Sequence, residues 1–267
     1  MSTQAGDVRV GVDIGGTFTD IAVQIGGRFV TTKVLTTPRA PEQAVMQGIA
    51  AALAEAEVAA GDVDLVIHGT TLATNALIER KGARTAMIGT EGHRDTLELG
   101  YEDRFSEYDV FIEKPAPLIP RDLRFTVPER MSAKGEVLRP LDEAAVAALV
   151  RELEQLHIQS LAIGLLHAYV NPDHERRVRD ILAKRLPGIS ISLSSEVCAE
   201  VREYDRFSTT ACNAYVQPLM AGYLDRLSRQ LKETGLTGPL YLMLSGGGLA
   251  TLETAMRFPI RLVESGP

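Results

Sequence analysis

Cysteine is scarce in this chain of 267 residues, with only Cys198 and Cys212 present. That rules out a disulfide framework and any Cys-x-x-Cys metal pair, and it fits a reducing compartment. No apolar run reaches the roughly 20 residues of a membrane-spanning helix, and the stretch before Val8 lacks the apolar core of a signal peptide. Positive charge is in deficit: the formal net charge is −7, which argues against a general nucleic-acid surface. There is also no Gly-x-Gly-x-x-Gly after a strand and no Gly-Lys-Ser/Thr, so the Rossmann and Walker phosphate loops are excluded. What remains is the expectation of a cytoplasmic enzyme acting on small molecules, without nucleic acid or membrane as partner. At 45% hydrophobic and 24% charged, the chain can bury a full core and holds one large or two ordinary domains.

The segment Asp13-Ile14-Gly15-Gly16-Thr17-Phe18-Thr19-Asp20 follows the apolar run Val8 to Val12. Adjacent glycines without Cβ atoms, free to take positive φ, let backbone N–H groups approach phosphate oxygens. Thr17 and Thr19 add hydroxyl donors. Asp13 is placed to hold Mg²⁺ through water, since this ion keeps several waters and takes few protein carboxylates. The same glycines also read as a tight hairpin turn between Val8–Asp13 and Thr19–Ile25, but a plain turn needs neither Asp13 nor Asp20. An acidic protein binds a polyanion only through such local groups.

The order of elements then predicts the fold. Arg28–Leu35 reads as a third strand, Pro41–Ala60 as a helix, Asp64–His68 as a buried strand, Leu72–Arg80 as a helix and Thr85–Gly89 as a strand. His68-Gly69-Thr70-Thr71 lies where a parallel strand meets a helix, at the edge where open α/β sheets bind ligands. His68, Thr70, Thr71 and Asn75 therefore become candidates for holding substrate or the loop, with a helix cap and a structural histidine as the plainer reading. Between Gly92 and Pro140 prolines and charges cluster and periodicity fades, as in an insertion on the surface or over the cleft. Gly92-His93-Arg94-Asp95 and Glu102-Asp103-Arg104 there read as substrate-lining groups or as solvated ion pairs.

Regular structure resumes with a helix over Asp142–Leu156, a strand over Ser160–Leu165, a helix over Pro172–Leu186 capped by Asn171, and a strand over Ile189–Leu193, suggesting a small α/β subdomain. A long helix from Glu203 toward Glu233 is expected to break or kink at Pro218. Cys212 reads as core rather than nucleophile. The strand Leu240–Leu244 ends in Ser245-Gly246-Gly247-Gly248, where Gly246 and Gly247 suggest backbone contact with a ligand, or a flexible turn.

DIGGTFTD at Asp13–Asp20, HGTTLATNALIERKGA at His68–Ala83, SSEVCAEVREYDRFSTTACNAYV at Ser194–Val216, MLSGGGL at Met243–Leu249 and RLVESGP at Arg261–Pro267 together resemble the hydantoinase A and 5-oxoprolinase family. That family includes the β-type subunits of acetone and acetophenone carboxylases. The resemblance implies an actin-like half of the sugar-kinase and heat-shock-ATPase type with an inserted α/β subdomain, divided as 7–91, 92–199 and 200–267. It also implies ATP and Mg²⁺ as cofactors, and phosphoryl transfer that activates a cyclic imide or lactam, or in the carboxylases a ketone or bicarbonate. A small cyclic amide or ketone is the implied substrate, and a hydantoinase B-type subunit or domain the implied partner. In this reading the phosphates lie over Gly15, Gly16, Thr17 and Thr19, Asp13 positions the metal, and Asp20 orients Thr17 or joins the metal shell. Family chains continue past Ser-Gly-Pro to a second Asp-x-Gly-Gly-Thr loop, so the chain is expected to supply one half of the nucleotide clamp and to be inactive alone. A sugar-type kinase half and a non-catalytic nucleotide-binding subunit are the alternatives.

Overall fold

The computed structural model describes residues 7–101 and 106–263. Glu102-Asp103-Arg104 and the terminal Glu264-Ser265-Gly266-Pro267 lie outside the described residues. The chain separates into two compact units, one built from the segments before Gly82 and after Pro218, the other from Gly82–Pro218.

The first unit begins with β1 (Val8–Ile14), β2 (Phe18–Ile25) and β3 (Arg28–Leu35), two successive antiparallel hairpins. Alternation decides which face is covered. Val8, Val10, Val12 and Ile14 are buried, while Arg9, Gly11 and Asp13 face the other way and are at least partly exposed. Helix α1 (Pro41–Ala56) carries Ala44, Val45, Ile49, Ala52 and Leu53 on its buried side. Gly48 makes the close approach of α1 to β2 possible, because a Cβ there would stand 2.0 Å from Ile21 Cδ1. This helix stops four residues short of the expected Ala60. Glu57 turns left-handed at φ 58°, and the amides of Glu57 and Val58 bond back to Ala54 and Leu53. Next come β4 (Leu65–Thr70), parallel to β1, and α2 (Leu72–Ile78).

Thr85–Thr90 (β5) is a strand as expected, but it joins a different sheet from β1. It lies in the second unit between parallel neighbours, with all six residues buried. Helix α3 (Thr96–Leu99), β6 (Arg124–Val127) and the two-stranded ribbon of β7 (Arg130–Met131) and β8 (Val137–Arg139) fill the proline-rich stretch. The expectation of an insertion on the surface or over the cleft is corrected: β6 is a member of the second sheet, and Ile119, Leu123, Val127 and Met131 are core. Strands of two to four residues are too short to leave a readable period. Then follow α4 (Glu143–Gln155), capped by Asp142 Oδ1 accepting from Ala145 N at 2.9 Å, β9 (Ser160–Gly164), α5 (Asp173–Arg185), β10 (Ser190–Leu193) and α6 (Ser194–Val197). The second sheet runs β10-β9-β5-β6, every pair parallel.

Helix α7 (Glu203–Glu233) passes through Pro218 without the expected break. Proline removes one helical hydrogen bond, but Ala214, Val216 and Met220 on either side are fully buried, and their packing holds the helix continuous. In the first unit the chain ends with β11 (Leu240–Met243), β12 (Leu249–Thr251) and α8 (Leu252–Arg257). Strand β11 pairs parallel with β4, giving a six-stranded sheet in the order β12-β11-β4-β1-β2-β3. This is the α/β arrangement expected of an actin-like half, and it aligns the carboxyl ends of β1, β4 and β11 on one edge. Among the described residues no helix is long and apolar enough to cross a membrane.

Candidate functional site

The β1–β2 hairpin places Asp13 directly opposite Asp20 and Ile14 opposite Thr19, leaving Gly15-Gly16-Thr17 as the turn. The turn closes by Gly15 N donating to Phe18 O at 2.9 Å. Neither Gly15 nor Gly16 has positive φ, so the conformational freedom of glycine is unused here and its value is space. Around Gly16 an added Cβ would meet only Asn75 Nδ2, at 3.6 Å. Gly16 and Thr17 are exposed, with their backbone open to a ligand.

Behind the turn sits a hydroxyl network that the sequence did not reveal. Thr36, just past β3, donates its hydroxyl to Gly15 O at 2.9 Å, shares a 2.9 Å bond with Thr19 Oγ1, and donates its amide to Thr17 O at 2.9 Å. Thr19 is fully buried, so it braces the loop from below instead of lining its open side. Thr36 was detectable only from the hairpin register, which returns the end of β3 to the turn.

Asp13 is the electrostatically unusual member. Its Oδ1 is buried and has no hydrogen-bond partner among the described residues. Burial, and secondly the negative charge of Asp20, push its carboxyl above the usual range. Asp20 is exposed and paired with Lys33 Nζ at 3.0 Å. These three side chains line a cavity of about 650 Å³ on the open face of the sheet, with Gly11, Ile67, Gly69 and Met243 as floor. A buried acceptor with no donor costs free energy unless a cation, a metal-bound water or a proton satisfies it. Among the described residues no group of three or more His, Cys, Asp or Glu side chains is placed to cage a metal. One carboxylate suits an ion that keeps most of its waters.

The neighbouring strand separates its residues by face. Gly69 is paired with Asp13 in register and comes so close that a Cβ would lie 3.3 Å from Asp13 Oδ1. His68, one residue earlier, points to the opposite, packed face. There its Nε2 is 2.7 Å from the hydroxyl of Tyr223 on α7, and burial lowers its pKa to about 4. It is a neutral core imidazole anchoring β4, away from the side of Asp13. Tyr223, a partner that sequence reasoning missed, has its phenol pushed upward by burial. Thr70 accepts from Leu72 N at 3.2 Å, Thr71 donates its hydroxyl to Ile14 O at 3.2 Å, and Asn75 Nδ2 donates to Thr71 Oγ1 at 3.4 Å. These three tie the start of α2 to the end of β1. Asn75 also lines, with Gly15, Gly16, Arg39, Lys81 and Arg226, a second cavity of about 310 Å³.

Beyond β11 the Ser245–Gly248 turn reaches the same sheet edge, two strands from β1, about 10 Å by strand spacing. Gly247 and Gly248 adopt φ of 79° and 96°, Gly247 N bonds to Leu244 O at 3.1 Å, and Ser245 is held to Arg261 O. No atom lies within 4 Å of a Cβ added at Gly246 or Gly247. The arrangement therefore gathers two glycine turns and one orphaned carboxylate oxygen at the carboxyl ends of three parallel strands.

Comparison with known proteins agrees with this architecture. The hydantoinase/oxoprolinase N-terminal region matches residues 9–186, and the hydantoinase/oxoprolinase domain matches residues 206–267. The chain is 37% identical to the caprolactamase subunit alpha of Pseudomonas jessenii over 267 residues, covering 97% of this chain and 38% of that protein. The solved ATP-dependent caprolactamase of Pseudomonas jessenii superposes with a TM-score of 0.88 at 33% identity, over 97% of this chain and 38% of that one. The nucleotide-free acetone carboxylase superposes equally well, with a TM-score of 0.88 at 26% identity, over 97% of this chain and 39% of the other. The chain thus spans just under two fifths of the length of these relatives.

Proposed function

The chain belongs to the hydantoinase/oxoprolinase family, and from that premise we propose that it is the N-terminal, phosphate-gripping portion of an ATP-dependent cyclic amidohydrolase. The observation that carries this reading is the buried Oδ1 of Asp13, without a partner among the described residues, beside the open Gly15–Thr17 turn. Backbone amides at Gly16 and Thr17 would receive phosphate oxygens, and the Thr17 hydroxyl would donate to them. Asp13 would accept from a water of a bound Mg²⁺, which supplies charge neutralisation on the phosphates. Phosphorylating the carbonyl oxygen of a lactam or cyclic imide turns a poor electrophile into one that water opens.

In this reading Thr19, Thr36, Thr70, Thr71 and Asn75 act by holding the loop. His68 acts by fixing β4, and Gly246 and Gly247 by presenting open backbone from across the edge. Lys33, paired with Asp20, screens that second carboxylate from the phosphates. A hydantoinase B-type subunit or domain is the proposed partner, and the cytoplasm, with its free thiols at Cys198 and Cys212, the proposed compartment. The equally good superposition on acetone carboxylase supports a second reading, a subunit of an ATP-dependent ketone carboxylase.

One experiment separates the two. The complete enzyme, in which this chain is joined by the second half of the clamp and by its partner subunit, is supplied with Mg-ATP and, in turn, hydantoin, 5-oxoproline, caprolactam or acetone with bicarbonate, and ADP and products are followed. Ring-opened product is the expected outcome. Carboxylated ketone alone would establish the second reading, and no substrate-stimulated ADP from any of the four would overturn both.

A further inference from the structure

The second unit has its own parallel edge. Strands β6, β5 and β9 run side by side, and the residues that follow their carboxyl ends, Arg130, His93 and His167, converge on a cavity of about 440 Å³. Arg202 and Glu203, at the start of α7, form another wall. Crevices at the carboxyl ends of parallel strands are where open α/β sheets bind ligands, and this volume lies within the range of small-molecule sites.

Four further observations mark the cavity as built. First, His167 Nδ1 is buried and makes no hydrogen bond, and neither Arg130 nor Arg202 forms an ion pair among the described residues. Second, His167 and Arg202 hold left-handed backbone at φ 56° and 80°, two of five such non-glycine residues among those described. That conformation is uphill for a side chain bearing Cβ and collects at functional sites.

Third, the loops are clamped from behind by buried polar groups. Glu175, fully buried, accepts from Leu165 N at 3.0 Å and from both Ser194 and Ser195 hydroxyls. Arg206, also fully buried, donates to Leu165 O at 3.0 Å, and Thr90 Oγ1 accepts from Leu166 N at 3.0 Å. Glu129, next to Arg130, is held by His174 Nδ1 at 2.8 Å and by the Thr90 hydroxyl. Burying charge is expensive, and here it fixes the residues just before His167 and Arg130, as a preorganised site requires. Fourth, Arg130 donates to His93 Nε2 at 3.0 Å, which leaves the His93 Nδ1–H as a neutral donor.

We propose that this cavity is a second binding site, for a small organic monocarboxylate whose charge is met by Arg130 and Arg202 and whose carbon body lies against Leu99, Leu166 and Tyr204. Guanidinium groups match a carboxylate's two oxygens. Two guanidiniums against the single carboxylate of Glu203 favour a monoanion over a dianion, and the leucine and tyrosine walls favour carbon over a bare inorganic ion.

The test is isothermal titration of the full chain with sodium benzoate, benzamide and inorganic phosphate. Benzoate should bind saturably, and benzamide and phosphate each at least about tenfold more weakly, the worth of one charge-assisted hydrogen bond. Arg130→Gln should lower benzoate affinity at least about tenfold while the melting temperature holds, since among the described residues that side chain hydrogen-bonds His93 alone. If Arg130→Gln fails to fold, Arg202→Gln, at an exposed position, carries the same expectation. Benzoate should also move the His93 and His167 ring resonances in NMR spectra. Three outcomes would overturn the proposal: no saturable benzoate binding, phosphate or benzamide binding as tightly as benzoate, or unchanged benzoate affinity in the arginine variants. None of them bears on nucleotide binding by the first unit.

Discussion

At the carboxyl edge of β1, β4 and β11 the groups on offer are backbone amides, threonine hydroxyls and one unsatisfied carboxylate oxygen on Asp13. The carboxyl edge of β6, β5 and β9 offers instead side-chain cations and imidazoles. Both edges come from the same topological rule, that parallel strands release their loops on one side. The difference in chemistry follows from what approaches. A polyphosphate carrying its own metal needs close backbone and little side chain, which is why glycine dominates the first edge. A small monoanion arriving without a metal needs permanent positive charge, and only side chains provide that.

The sharpest way to break this contrast is Gly16→Val. The residue is exposed and has ordinary φ, and its added Cβ would meet only Asn75 Nδ2 at 3.6 Å, so folding should survive. The branched side chain fills the space a phosphate needs, and the affinity of the complete enzyme for Mg-ATP should fall about a thousandfold, ~4 kcal/mol. Benzoate binding by the second unit should be unchanged. Titration with both ligands checks the two halves of the expectation, and a valine variant that kept its ATP affinity would remove this turn from the nucleotide site.

A second test uses the packed face of β4. His68 is neutral in the folded protein down to about pH 4, because burial opposes its charge, whereas an unfolded histidine takes a proton near 6.5. The folded pKa is depressed, so its contribution to stability is complete above pH 6.5 and is lost as pH falls toward 4. The loss is at most about 3 kcal/mol. Urea midpoints at pH 7 and pH 5 should therefore separate in the wild type and draw together in His68→Gln. Equal pH dependence in both proteins would show that His68 is not the group responsible.

Asp13→Asn ranks next and separates metal chemistry from folding. Its carboxyl is raised by burial and by Asp20, so the ionised form is disfavoured in the fold and costs stability at any pH above its folded pKa. Removing the charge should leave the melting temperature at neutral pH no lower than wild type. Turnover of the assembled enzyme should nevertheless drop roughly thirtyfold, ~2 kcal/mol, through loss of the metal-facing charge. A variant that melted early and turned over normally would reverse the assignment.

How much of this could be read beforehand differs between the two edges for a physical reason. The first edge is encoded in one contiguous stretch, Asp13–Asp20, and in a second, His68–Asn75, because a hairpin and a βα turn each place their functional atoms within a few residues. Strand and helix positions across the first unit were legible for the same reason, since alternating burial along β1 and the short apolar run of β4 leave a local signal. The second edge draws on residues 93, 130, 167 and 202, which come together only through sheet pairing. No local pattern marks them, and β6 is too short to predict. Side-chain direction was equally hidden. His68 and Gly69 are neighbours in sequence, but the pleat sends His68 into the core with Tyr223 and leaves Gly69 against Asp13.

Thr17 and Thr19 carry that lesson at its smallest scale. Both belong to the same loop motif and read alike in sequence, but Thr17 is exposed whereas Thr19 is fully buried, its hydroxyl 2.9 Å from that of Thr36. Thr19→Ala removes one partner from a buried pair and should lower stability by about 1 kcal/mol. Its effect on ATP affinity should be slight, because Thr36 still bonds Gly15 O and holds the turn. Thr17→Ala should do the reverse, leaving stability within about 0.5 kcal/mol of wild type, as for most exposed positions. In that variant Mg-ATP affinity should weaken about fivefold, ~1 kcal/mol, for one lost hydroxyl donor. Thermal melts and titrations of the two variants side by side decide it. If alanine at 19 cost affinity and alanine at 17 cost stability, the loop would present its phosphate-binding side to the packed face of the sheet, and the open-face site built around Asp13 would have to be abandoned.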